Sequence, residues 1–133
     1  MFGYVAGLPA FLAYFATGLV ALGLFSWLYS ALTPQHELTL IRFGNTAAVV
    51  AFLGALVGFS LPLASAAANS VSLVDFVIWA VIGALVQAVA FGAACLSLRG
   101  LPGRITAGEM AAGLWSAGIS LAVGMLNAAC MTY

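Results

Sequence analysis

Gln87, Asn45 and Glu109 are the residues of this chain best placed for chemistry inside a membrane, because each is a polar group within or beside a long apolar run. Such a group has no water to bond, so it needs a hydrogen-bond partner, a counter-charge or a bound ion. Gln87 stands mid-way along its run and should point inward. It serves either as a cross-helix hydrogen bond worth about 1 kcal/mol or as part of the lining of a conduction path. Glu109 has three options open to it: a cation from Arg104 or Arg42, capping of a helix N-terminus, or a proton or ion of its own. Asp75, in the same setting at the start of the following apolar run, reads as a cap.

Other chemistries find little support. His36-Glu37 is one histidine and one carboxylate without the further Cys, Asp or Glu that a three- or four-ligand metal site or an acid–base pair requires. We therefore expect no metal, no other cofactor and no enzymatic activity. Ser26, Ser30, Ser60, Ser65, Ser116 and Ser120 can satisfy their hydroxyls on carbonyls of their own helices, so none is marked as a nucleophile. Asn127 and Asn69 are candidates for a pair across one surface.

The elements that must position these groups follow from composition. Of 133 residues, 65% are hydrophobic and 5% charged, whereas a water-facing domain carries about a quarter charged residues. Lipid is the solvent. Three scattered arginines and no lysine leave no basic stripe for phosphates, which argues against nucleic-acid binding. A membrane-crossing helix needs about 20 apolar residues. Charges and turn formers divide the chain into four such runs, Pro9 to Leu32, Thr46 to Ala68, Phe76 to Leu98 and Thr106 to Cys130. The expected fold is all-α, a single polytopic four-helix bundle over 1–133. No charge precedes Glu37, so the N-terminal run reads as a retained span rather than a cleaved signal. Arg42, Arg99 and Arg104 all fall in the first and third connections, which makes that side cytoplasmic and both termini periplasmic. Cys95 and Cys130 then lie near opposite faces and cannot bridge within one subunit.

The halves compare at an offset of 64 residues, which sets Asn45-Thr46-Ala47-Ala48 over Glu109-Met110-Ala111-Ala112 and Gly54 over Gly118. A duplicated helical hairpin is one reading and chance likeness between alanine-rich helices the other. Tyr29-Ser30, Thr33-Pro34, Glu37, Asn45-Thr46-Ala47-Ala48, Pro62-Leu63, Asp75, Gln87 and Asn127-Ala128-Ala129-Cys130-Met131-Thr132 resemble the YjfL-like small bacterial inner-membrane proteins, domain of unknown function 350. The resemblance covers nearly the whole chain and brings no catalytic residue. It implies association with envelope-stress proteins, or with polyamine-synthesis and ligase enzymes. Some relatives repeat Asn-Thr-Ala-Ala where this chain has Glu109-Met110-Ala111-Ala112.

Small residues recur at four-residue spacing. They form the rows Ala80, Ala84, Ala88, Gly92 and Gly108, Ala112, Ser116, Ser120, Gly124, Ala128, with Ala47, Ala51, Ala55 beside Gly54 and Gly58. Each row reads as a helix-packing face, within the subunit or between subunits. Phe11, Phe15, Trp27, Trp79 and Trp115 supply bulk and interfacial anchors. The functional expectation is a non-enzymatic, homo-oligomeric inner-membrane module supporting an envelope-stress assembly. The alternative is a small ion or polyamine channel or transporter, though the spans lack a mid-membrane carboxylate for proton-coupled exchange.

Overall fold

The computed structural model describes residues 2–32 and 37–131, and among them every regular element is helical. In chain order these are α1 (Phe2–Leu32), α2 (Glu37–Arg42), α3 (Thr46–Asn69), α4 (Leu73–Ser97), α5 (Leu101–Thr106) and α6 (Met110–Cys130). α1, α3, α4 and α6 are long and apolar enough to cross a membrane.

Helix starts depart from the expected spans for identifiable reasons. α1 begins at Phe2 and runs through Pro9, because the apolar residues ahead of the proline extend the same helix. α4 begins three residues before Phe76: the Ser72 hydroxyl accepts from the Asp75 N–H at 3.1 Å while Asp75 Oδ2 accepts from the Val71 N–H at 3.3 Å. Asp75 thus acts from the third helical position of a reciprocal cap headed by Ser72. The fourth span starts at Met110 rather than Thr106, and the connection before it is partly helical. Leu101–Thr106 closes as the separate helix α5, and Gly108, at φ 83°, turns the chain before α6 starts at Met110. Such a φ is costly for a residue with a side chain, so the glycine determines where the break falls.

α3 and α6 make the most extensive helix pair, α4 lies against both, and α1 packs outside on α3 and α4. Gly54 sits on Ala117, Gly58 on Ser120, and Ser65 on Ala128. Both helices advance together, so α3 and α6 are parallel neighbours. With lipid outside there is little hydrophobic gain in pairing, and close backbone approach supplies the attraction instead. Gly54, Gly58, Gly113 and Gly124 make that approach possible: a Cβ on any of them would overlap main-chain atoms of the opposite helix.

Pro62 inside α3 adds to this contact. Without an N–H it leaves the Gly58 carbonyl short of its regular helical donor. The hydrogen that a Cβ would replace on Gly124 points at that same oxygen. A carbon-donor contact there partly offsets the missing bond.

α1 is attached differently. Its rings stack or meet edge-on with those of α3 and α4, Phe25 with Phe59 at 4.3 Å, Tyr14 with Phe76 at 5.5 Å and Tyr29 with Phe91 at 6.0 Å. Between these contacts an apolar crevice of about 520 Å³, walled by Tyr14, Leu22, Leu63 and Phe76, opens outward.

Candidate functional site

The polar centre of the bundle is a meeting of three helices at Gln87. Its side chain is fully buried, and Nε2 donates to the main-chain carbonyl of Ser120 on α6 at 3.1 Å. α3 reaches the same spot because Gly58 has no side chain; a Cβ there would lie 2.9 Å from Gln87 Nε2. Gln87 therefore points inward and bonds across helices, as an amide in lipid must. On the same helix as that carbonyl, Ser116 is 0% and Ser120 1% exposed. Gln87 Oε1, Ser116 Oγ and Ser120 Oγ are all buried with no partner among the described residues.

These serines depart from the sequence expectation. Thr17, Ser26, Ser60, Ser97 and Thr106 each donate to a carbonyl three or four residues back in their own helix. Ser116 and Ser120 do not, and Ser65 donates across to Ala128 O at 3.1 Å. The Asn69–Asn127 pair is corrected as well. Asn69 Nδ2 donates to Ser65 O at 2.8 Å, one turn back in its own helix, which leaves buried Asn127 Nδ2 without a partner among the described residues.

Asn45 and Glu109 lie elsewhere, at the N-termini of α3 and α6. Ser120 is eleven residues beyond Glu109, so the Gln87 contact lies about 16 Å further along α6. The three polar candidates are not one constellation. Asn45 is the N-cap of α3: Oδ1 accepts from the Ala48 N–H at 3.0 Å, and Nδ2 donates to Ile105 O at 2.9 Å and Thr106 O at 3.1 Å. One side chain thus caps its own helix and satisfies the last carbonyls of α5. This bond also brings the first and third connections to one end of the molecule.

Glu109 has the matching backbone position, φ −74° and ψ 108° against −76° and 103° for Asn45, but makes no side-chain cap. Its carboxylate instead forms a two-pronged ion pair with Arg104, whose Nε donates at 2.8 Å. The bonds from Arg104 hold the Glu109 carboxyl below the ordinary carboxylate range and push the guanidinium further up. The surrounding turns share their geometry. Gly44 and Gly108 have φ 81° and 83°, and the Gly44 and Gly108 N–H groups donate to Ile41 O and Ile105 O, each 64 residues apart.

The small-residue rows fare unevenly. Gly54, Gly58 and Gly124 are pressed into the α3–α6 contact, and Ser116 and Ser120 are buried on α6. On α4 the row does not pack within the subunit: Ala84 is only half-buried, Ala88 and Gly92 are exposed, and a Cβ on Gly92 would meet nothing within 4 Å. The buried face is Phe76, Ala80, Gly83, Gln87, Ala90 and Ala94. Each four-residue step overshoots a full turn by about 40°, so the row from Ala80 to Gly92 drifts about 120° and leaves the interface. Steps of three and four phased on Gln87 would have found Gly83 and Ala90. Gly113 and Ala117, beside the α6 row, were missed for the same reason. Trp115, expected to be an anchor, is half-exposed and donates from Nε1 to Ser97 Oγ at 2.8 Å, tying α6 to the end of α4.

Among the described residues no three His, Cys, Asp or Glu side chains gather into a metal-binding group. His36 lies outside the described residues. Cys95 and Cys130 are free.

Comparison with known proteins agrees with this architecture. The family model described as Domain of Unknown Function (DUF350) matches residues 3–131. The UPF0719 inner membrane protein YjfL of Escherichia coli (strain K12) is 41% identical over 126 residues, 95% of this chain and 96% of the relative. The protein of the same name from Escherichia coli O157:H7 matches to the same extent. No solved structure matches the chain. With the match spanning all four apolar helices, the chain belongs to the DUF350 family.

Proposed function

We propose that this protein is a non-enzymatic inner-membrane module that assembles with copies of itself and, as an assembly, supports or anchors an envelope-stress complex. The observation that carries the reading is the contrast between inner and outer glycines. Inside, Gly54, Gly58, Gly113 and Gly124 are pressed against neighbouring backbone. Outside, Gly92 on α4 and Gly118 on α6 meet nothing, each four residues from an exposed alanine, Ala88 and Ala122. Small residues at four-residue spacing allow a second helix to approach closely in lipid. A lone subunit uses neither outer pair. Connections too short to hold a soluble domain, together with the inner-membrane name of the YjfL relatives, support an activity carried out in the bilayer or through a partner. The envelope-stress context comes from the family resemblance.

Native mass spectrometry from nanodiscs tests the assembly. It is paired with oxidative crosslinking of Gly92→Cys and Gly118→Cys chains in which Cys95 and Cys130 are replaced by alanine. We expect a discrete oligomer and a crosslink at one or both positions. A strict monomer that neither crosslinks nor retains an envelope protein after mild crosslinking in cells would overturn the reading.

A small channel or transporter for ions or polyamines has one observation in its favour, the buried polar atoms of Gln87, Ser116 and Ser120 at membrane depth. Against it, Asn45 and Glu109 are committed to partners at one end, away from Gln87. Liposome flux of monovalent cations and of spermidine, abolished by Gln87→Leu, would favour this second reading over the first.

A further inference from the structure

We propose that Gln87, Ser116 and Ser120 hold one or two water molecules between α4 and α6, a buried hydration site in the middle of the bundle. The argument starts from what each atom can do. Gln87 Oε1 can only accept, and it has no donor among the described residues although its sister atom Nε2 is bonded. Ser116 and Ser120 lie one turn apart on the buried face of α6. Both leave their own helix carbonyls unused, unlike the five outer hydroxyls described above. Three buried oxygens on facing helices therefore share the same deficit. A fully buried amide oxygen left unmatched is costly, more so with lipid outside the bundle.

The chemical class of the ligand follows from charge. The carboxylates nearest in the chain, Asp75 and Glu109, stand at helix starts and are bonded there to Val71 and Arg104. A cation at Gln87 would have no counter-charge, and bringing one into an apolar interior is far costlier than bringing in a neutral molecule. Water is neutral, donates twice and accepts twice, and suits an acceptor-only oxygen on α4 together with two unbonded hydroxyls on the neighbouring helix.

The test uses the protein in lipid bilayers. Besides Gln87 the chain has one glutamine, Gln35. A Gln35→Asn chain labelled on its glutamine side-chain amide therefore reports Gln87 alone. Water-edited solid-state NMR measures whether magnetisation passes from water protons to that amide. We expect transfer in this chain and its loss in Ser116→Ala/Ser120→Ala, which keeps the Ser120 main-chain carbonyl that anchors Nε2. A dry Gln87 amide in the Gln35→Asn chain would overturn the proposal. So would transfer that persists undiminished in the double variant, because the serines would then not hold the water. Should the double variant fail to fold, the Gln35→Asn measurement alone decides whether water is present, and Ser116→Ala by itself then tests the wall.

Discussion

Gln87 on α4 donates its side-chain amide to the main-chain carbonyl of Ser120 on α6, across a gap that Gly58 of α3 leaves open. In an α-helix the Ser120 carbonyl also serves its own ladder, so losing the amide removes one bond without orphaning the acceptor. Gln87→Leu keeps comparable bulk and should destabilise the bundle by only about 1 kcal/mol. Gln87→Glu must either bury a charge or take up a proton, and should destabilise the bundle more than Gln87→Leu, increasingly so as pH rises. Steric-trapping unfolding in bicelles would check both; equal behaviour of the two variants would contradict the assigned bond.

Glycine replacements should divide sharply by position. Gly58→Ala and Gly124→Ala drive a Cβ into opposing backbone and should each cost about 1 to 3 kcal/mol as α3 and α6 move apart. Gly92→Ala and Gly118→Ala meet open space, and in dilute detergent should leave subunit stability unchanged or raise it by up to about 1 kcal/mol through helix propensity. Thermal unfolding followed by tryptophan fluorescence reads the difference.

Asn45 performs two tasks that substitution can separate. Asn45→Ala loses the cap, worth about 1 kcal/mol, together with both bonds to α5. Asn45→Asp retains a cap acceptor but sets a carboxylate against the Ile105 and Thr106 carbonyls, so its stability should improve as pH falls and the group becomes able to donate. Hydrogen–deuterium exchange at the α5 amides, followed against pH, would reveal that recovery.

The Arg104–Glu109 pair gives the opposite pH dependence. The folded Glu109 carboxyl titrates below its unfolded value because Arg104 bonds the charged form. Its contribution is therefore complete above the unfolded value of about 4.3 and fades as pH falls through the lower folded one. Carboxyl ¹³C NMR should place Glu109 below an ordinary glutamate, and Arg104→Gln should move it back up. An unchanged titration in that variant would assign the depression to another cause.

Topology offers a simple check. Asn45 ties the start of α3 to the end of α5, so Arg42→Cys and Arg104→Cys, each without the native cysteines, must react with an impermeant thiol reagent from the same side. The arginine bias assigns that side to the cytoplasm. Labelling from opposite sides would remove the shared end on which the membrane orientation rests.

Composition alone determined that lipid surrounds this chain and that it crosses the membrane in four helices, since 5% charge cannot cover a water-facing surface. It also determined that the arginine-bearing connections share one end, and that an amide at position 87 must turn inward. Tertiary structure decided which face each helix presents. In lipid the outward side of a helix is as apolar as the inward side, so periodicity carries little phase information, and the α4 row of alanines drifted out of the contact while Gly83 and Ala90 moved in. The same holds for the polar partners. Whether Glu109 capped its helix or met Arg104, and whether Ser116 and Ser120 bonded their own helix, depended on which backbones came within a few ångströms of each other. The close approach of α3 and α6 through Gly54, Gly58, Gly113 and Gly124 fixed those distances.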